Sequence, residues 1–308
     1  MKRLDNRIAL VTGAGAGIGR ETARVFAGEG ATVYLADIDA TAVESGAKIV
    51  HCCGFDSIPS DLGVWLLHRE LGAMQSARLY VTRMKGGFSG GTFHSMLDIM
   101  EAASRDPELR RLLVDPYALN PEGERQGPDR GDQRNARTIE GRHTAPFIMA
   151  AINTRIVRRS NALLDYAYGR EFRYSEAMQL PTEKAAKRLA RASKWGMIGA
   201  ALTPTRALMR RFGPAPGSGP SREERENGRF RIEIVGEAER RAIAQVGADA
   251  DPGYGATAKM LAESALCLAI DRPAGPGGIL TPAASMAAPL IERLRAAGMT
   301  FELDADAR

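Results

Sequence analysis

Apolar and polar positions near the start of the chain fall into a strand–turn–helix–strand order. Ile8-Ala9-Leu10-Val11 reads as a short buried strand, Glu21 to Gly30 has helical spacing, and Ala31-Thr32-Val33-Tyr34-Leu35-Ala36 reads as a second strand. A glycine-rich turn, Gly13-Ala14-Gly15-Ala16-Gly17-Ile18-Gly19, separates the first strand from the helix, and Asp37 follows the second strand. This order is that of a dinucleotide-binding βαβ unit. Gly13 allows the tight turn, Gly17 lets the backbone approach a pyrophosphate, and Gly19 lets helix and strand pack closely. The free N–H groups at the start of the helix then hold the phosphates. Asp37 stands where an acid binds a ribose hydroxyl, and its charge favours NAD over NADP by repelling a 2′-phosphate. The expected cofactor site is therefore Gly13, Gly17, Ile18, Gly19 and Asp37, with NAD as cofactor and NADP as the alternative.

The pattern then shortens. Only Ile38 to Gly46 separate the second strand from the next apolar run, Lys48 to Cys52. A parallel crossover needs about 10–12 residues including its helix, so the nucleotide unit is truncated. Gly54 turns the chain, and Asp56 or Ser57 is expected to cap a helix that has Pro59 in its first turn. That helix runs to about Leu71 and buries Leu62, Trp65 and Leu66. Leu79 to Met84 alternates as a strand. The glycine-rich turn Gly86 to Thr92 is either an anion cradle or a plain connection, and a helical pattern covers Phe93 to Ser104. Pro121 to Arg142 reads as a mobile surface loop.

Arg229 to Val235 alternates strictly, with Phe230, Ile232 and Ile234 on one face. It pairs with Arg241 to Val246 in an antiparallel hairpin whose tip is Glu237-Ala238-Glu239. Ala256 to Ile270 reads as a helix apolar all round and hence buried. Ser285 to Ala297 reads as an amphipathic helix closed by Gly298, and Thr300 to Leu303 as a last strand. The predicted fold is α/β: a truncated parallel βαβ(β) unit over residues 1–53, then an α+β domain with an antiparallel sheet over 54–308.

Composition adds limits. The net charge of +5 is uneven, −1 through Gly46 and +6 beyond. From Lys184 to Arg211 the chain has eight Lys/Arg and no Asp/Glu, around the apolar run Trp195 to Leu202. Such a segment suits an interfacial anchor on anionic lipid, a lid over an apolar substrate, or a core helix with solvated ends. No apolar run is long enough to span a bilayer, and Met1 to Asp5 lacks the apolar core of a secretion signal. Three cysteines, two of them adjacent (Cys52, Cys53), give no disulfide framework and no metal spacing. The expected location is the cytoplasm, with peripheral membrane contact through 184–211. No zinc finger, basic-aromatic repeat or leucine heptad points to nucleic acid.

Two resemblances follow from these motifs. The Thr-Gly-x-x-x-Gly-x-Gly spacing of Thr12 to Gly19 resembles short-chain dehydrogenases/reductases, over about residues 2–44. That family catalyses with Tyr-x-x-x-Lys, and none of the seven tyrosines here has a lysine four residues on, so the likeness implies binding and not that chemistry. The run Gly54-Phe-Asp-Ser-Ile-Pro-Ser-Asp-Leu-Gly63 resembles the saccharopine dehydrogenase-like reductases, notably their trans-acting enoyl reductase branch. The likeness continues through Lys85 to Thr92, Asp115 to Leu119, Thr144 to Phe147, Ile152 to Leu163, Asp251 to Tyr254 and Gly278 to Pro282, covering residues 47–303.

The chain thus resembles a fusion whose first part is a Rossmann-like remnant. The second likeness implies an NAD(P)-dependent oxidoreductase acting on an enoyl or other lipid-like acyl group, and a homo-oligomer. The rival reading is a catalytically degenerate lipid- or partner-binding protein. His51, Asp56, His94, His143 and Tyr254 are the acid/base candidates. No spacing assigns any of them a catalytic role.

Overall fold

A computed structural model describes residues 8–12, 32–36, 47–86, 90–125, 127, 133–215 and 219–305, the first two segments by backbone alone. β1 (Ile8–Thr12) and β2 (Thr32–Ala36) pair in parallel, from Ile8 opposite Thr32 to Thr12 opposite Ala36. β3 (Lys48–Val50) follows, then α1 (Ile58–Leu71), β4 (Ser76–Lys85), α2 (Gly90–Arg105) and α3 (Pro107–Val114). Next come β5 (Arg137–Ile139), β6 (Arg142–Pro146), α4 (Ala150–Leu163) and β7 (Arg173–Leu180). The chain continues with α5 (Glu183–Ala201), α6 (Thr203–Phe212), α7 (Arg222–Glu226), β8 (Arg229–Glu237) and β9 (Arg241–Ala248). It ends with α8 (Thr257–Leu266), β10 (Gly278–Leu280), α9 (Pro282–Ala296) and β11 (Thr300–Asp304).

The α/β class predicted from the pattern holds, and the main sheet is mixed. Its seven strands run in the order β11-β9-β8-β4-β7-β6-β5. All neighbours are antiparallel except β4 and β7, which pair in parallel from Ser76–Arg173 to Val81–Met178. Nearly a hundred residues separate these two strands, so local alternation carries no sign of their pairing. β3 pairs in parallel with β10, Lys48 opposite Gly278, which ties the start of the body to its end.

One sheet face holds the core. Phe230, Ile232 and Ile234 of β8 and Ala77, Leu79 and Val81 of β4 meet Ile58, Leu62 and Leu67 of α1, with Leu290, Ile291 and Leu294 of α9. Burial of each of these side chains larger than alanine is worth about 1.5–3 kcal/mol. α1 lies so close to β8 that a Cβ added at Gly63 would come 2.3 Å from Ile234 Cδ1. The opposite face carries Tyr80, Ala177 and Val235. There the Arg142 guanidinium lies 4.8 Å from the Tyr80 ring centroid and bonds Glu233 at 2.7 Å.

Several expectations change. Ser57 occupies the N-cap position of α1 without capping it; its hydroxyl donates instead to Oδ1 of buried Asn153, 3.4 Å away, while Asp56 is exposed. Trp65 and Leu66 are only partly buried. The 256–270 helix is broken into α8 between two π-helical turns, Pro252–Ala256 and Cys267–Asp271. It buries Met260 and Cys267 but exposes Leu261 and Ile270, because only one side packs on the body. The 121–142 loop includes β5, and its near end is pinned where Arg125 forks onto Asp115 at 2.8 and 2.9 Å. α9 starts three residues earlier than its apolar pattern, capped by Thr281, whose hydroxyl accepts the amide of Ala284 at 3.3 Å. The β8–β9 hairpin, the final strand and the helix stop at Gly298, with φ +84°, stand as read.

Candidate functional site

The cofactor residues read from sequence, Gly13, Gly17, Ile18, Gly19 and Asp37, lie outside the described residues. What the structure describes is their frame. β1 and β2 end side by side at Thr12 and Ala36, and Gly13 and Asp37 are the next residues along the chain. Parallel strands ending together are the topology a dinucleotide unit requires, because ligands of open α/β sheets bind beyond the carboxyl ends of the strands.

A second two-stranded pair is likewise parallel. β3 and β10 end at Val50 and Leu280, leading through the turn at Gly54 into α1 and through Thr281 into α9. Between the first turns of these helices lies Asp61, fully buried. Its Oδ2 accepts the amide of Ala283 at 2.8 Å and its Oδ1 accepts the hydroxyl of Ser160 from α4. Ser160 in turn contacts the Thr281 hydroxyl at 2.6 Å. Since Ser160 donates to Asp61, Thr281 donates to Ser160. Burial pushes the Asp61 carboxyl up to about 7, against the opposing pull of Ser160 and the Ala283 amide. Asp61 is thus poised between charge states near neutrality, yet reaches no solvent, and its role is to fix α1, α4 and α9 against one another.

A second buried acid lies alongside. Glu176 on β7 accepts the hydroxyls of Ser60 and Tyr174, each at 2.7 Å, and the amide of Asn153 at 2.9 Å. Burial, then the nearby Glu176 charge, holds the Tyr174 phenol well above its ordinary range. α4 also grips β10 from outside, where Arg159 donates to the carbonyl of Ile279. Sequence reasoning missed both acids. Asp61 carried one signal, an acid on the apolar face of a helix; Glu176 sits on a strand with no distinguishing spacing.

The acid/base candidates do not converge. His51 and Asp56 are exposed on the β3–α1 connection. His94 on α2 contacts the Pro214 carbonyl at 3.1 Å, and His143 on β6 contacts the Thr138 hydroxyl at 3.1 Å. The Tyr254 amide donates to Asp251 at 2.6 Å, and a Cβ at Gly219 would run into the Tyr254 ring. Burial raises the Cys52 and Cys53 thiols to about 11 and about 12, so neither is a nucleophile at neutral pH. Among the described residues no group of three His, Cys, Asp or Glu could hold a metal ion. Of the turn from Gly86 to Thr92, residues 87–89 lie outside the described residues. Gly86 itself packs on Asp251, where a Cβ would fall 2.1 Å from Oδ1.

Comparison with known proteins places this arrangement. A putative trans-acting enoyl reductase of Mycobacterium tuberculosis is 46% identical over 286 residues, covering 85% of this chain and 68% of that protein. The trans-acting enoyl reductases of Mycobacterium bovis and Mycobacterium ulcerans are each 40% identical, over 84% of this chain and 68% of theirs. This chain belongs to the trans-acting enoyl reductase family. The family model described as short chain dehydrogenase matches residues 7–63, so that likeness reaches past Glu44 through β3 into the first turns of α1. No solved structure matches. In this trans-acting enoyl reductase family member, the matched short-chain segment therefore includes the strand that pairs with β10.

Proposed function

We propose that the protein is a nicotinamide-dependent oxidoreductase that reduces the double bond of an enoyl group on a lipid-like acyl substrate. The observation that carries this reading is 40–46% identity, over most of the chain, to proteins named trans-acting enoyl reductase. The parallel β1–β2 pair supports it, since its strands end together where the glycine loop and Asp37 follow. Gly13, Gly17, Ile18 and Gly19 would hold the pyrophosphate, and Asp37 the adenosine ribose. When bound, the dinucleotide supplies the hydride. The chain's own work is to bind, orient and exclude water, which demands no strong catalytic signature.

On this reading residues 1–53 form the dinucleotide unit, residues 54–308 form the substrate and dimerisation domain, and the protein is a homo-oligomer. Asp37 makes NAD the preferred cofactor. The test is oxidation of NADH in the presence of enoyl and saturated acyl thioesters of equal length. Oxidation dependent on the enoyl compound alone supports the proposal, and none with either dinucleotide overturns it.

A further inference from the structure

The 184–211 segment admits three readings from sequence, and the structure decides against a core helix. α5 turns Ala186, Ala190 and Ala200 inward. Arg206 of α6 is buried, donating to the Ala200 and Ala201 carbonyls at 3.1 and 3.3 Å, with its Nε 3.9 Å from Glu101. Arg210 ties α6 to α2 through Asp98 and Glu101 at 2.6 and 2.7 Å. The helix pair is therefore fixed to the body, and its outer face is a defined surface.

Both helices expose apolar side chains, and α5 exposes cations beside them. Trp195 is 68% exposed and Phe212 76%, with Ile198, Leu202 and Leu208 also exposed. Lys184, Arg188 and Arg191 recur at the helical period that leads to Trp195 and Ile198, forming one stripe along α5. Among the described residues Lys184, Arg188, Arg191 and Lys194 make no ion pair, and the acid that lines their groove, Glu183, is held by Lys187 at 2.6 Å. Lys184, Lys187, Arg188 and Arg191, together with Glu183, line a shallow open groove on this stripe.

We infer that the outer face of α5 and α6 docks on an anionic lipid bilayer. The cations supply the attraction to anionic headgroups, and Trp195 and Phe212 enter the boundary between headgroups and acyl chains, where amphipathic aromatics belong. A second copy of this chain fits less well, because it would set the same cations against one another. No helix among the described residues is long and apolar enough to cross a membrane, so the contact is peripheral.

Vesicle flotation with the full chain tests this, using phosphatidylcholine alone and phosphatidylcholine mixed with phosphatidylglycerol. The protein floats with the mixed vesicles, not with phosphatidylcholine alone, and added salt releases it. Trp195→Ala with Phe212→Ala lowers the bound fraction at least about tenfold, as does Lys184→Gln with Arg188→Gln and Arg191→Gln, with unchanged circular dichroism. Should a variant fail to fold, quenching by brominated lipid decides on the parent protein. Emission is quenched on anionic vesicles, and Trp195→Phe, which leaves Trp65, loses that quenching. No flotation by the folded parent, flotation indifferent to lipid charge, or self-association through this face without flotation each overturns the inference.

Discussion

The amide of Ala283, at the start of α9, donates to Oδ2 of Asp61 on α1 at 2.8 Å, joining residues 222 positions apart. The Asp61 carboxyl titrates at about 7 in the fold, against about 4 in an unfolded chain. The folded state therefore binds the extra proton between these values, and this group's contribution falls as pH rises from about 4 to 7, by up to about 1.4 kcal/mol per pH unit. Asp61→Asn keeps an acceptor for the Ala283 amide and removes the titration. Urea unfolding across this range is expected to show the parent losing stability relative to Asp61→Asn as pH rises. Parallel profiles would show that Asp61 does not titrate there.

Glu176 gathers three buried donors from three elements, Ser60, Asn153 and Tyr174. Glu176→Ala removes the shared acceptor, leaving the Asn153 amide unpaired and Ser60 and Tyr174 with only each other, and should cost about 2–4 kcal/mol. Thermal melting reads this as a fall of several degrees. A melting temperature within a degree or so of the parent would mean that the donors find other partners.

Close approach of α1 to β8 rests on Gly63. In an open helix interior Gly→Ala stabilises by about 1 kcal/mol; here the new methyl would meet Ile234 Cδ1 at 2.3 Å. Gly63→Ala is expected to destabilise by about 1–3 kcal/mol. Ile234→Val, which removes that atom, should recover part of the loss, with a coupling of about 1 kcal/mol in a double-mutant cycle. Additive effects of the two changes would refute the contact.

The parts of this fold legible in sequence are those set by local period. Phe230, Ile232 and Ile234 alternate on one strand and announce the β8–β9 hairpin without reference to anything distant. The β4–β7 and β3–β10 pairings join segments roughly a hundred and more than two hundred residues apart, and nothing local specifies them. Asp61 and Glu176 were missed for the same reason: each draws its donors from at least two other elements. Leu261 and Ile270 show the converse error, since apolarity all round a helix says nothing about how many sides find a neighbour. The glycine loop rests on residue type and spacing alone, because Gly13, Gly17, Ile18, Gly19 and Asp37 lie outside the described residues.

On the proposed function, Asp37 is the residue expected to set cofactor choice. Fluorescence titration is expected to give tighter binding of NADH than of NADPH, because a carboxylate beside the ribose repels a 2′-phosphate. Asp37→Ser should narrow that difference at least about tenfold, and Gly17→Val should abolish binding of both dinucleotides. Tighter binding of NADPH by the parent would contradict the role given to Asp37.

The most direct test of the whole account follows the hydride itself. The protein is supplied with NADH carrying deuterium at the transferable position and with an enoyl thioester, and the product is read by mass spectrometry. The expected product is a saturated acyl chain that has gained the deuterium, with no labelled product from the Gly17→Val protein. Dinucleotide binding with no transfer of label to the acyl chain would contradict the proposed function, leaving a nucleotide-binding protein that is not a reductase.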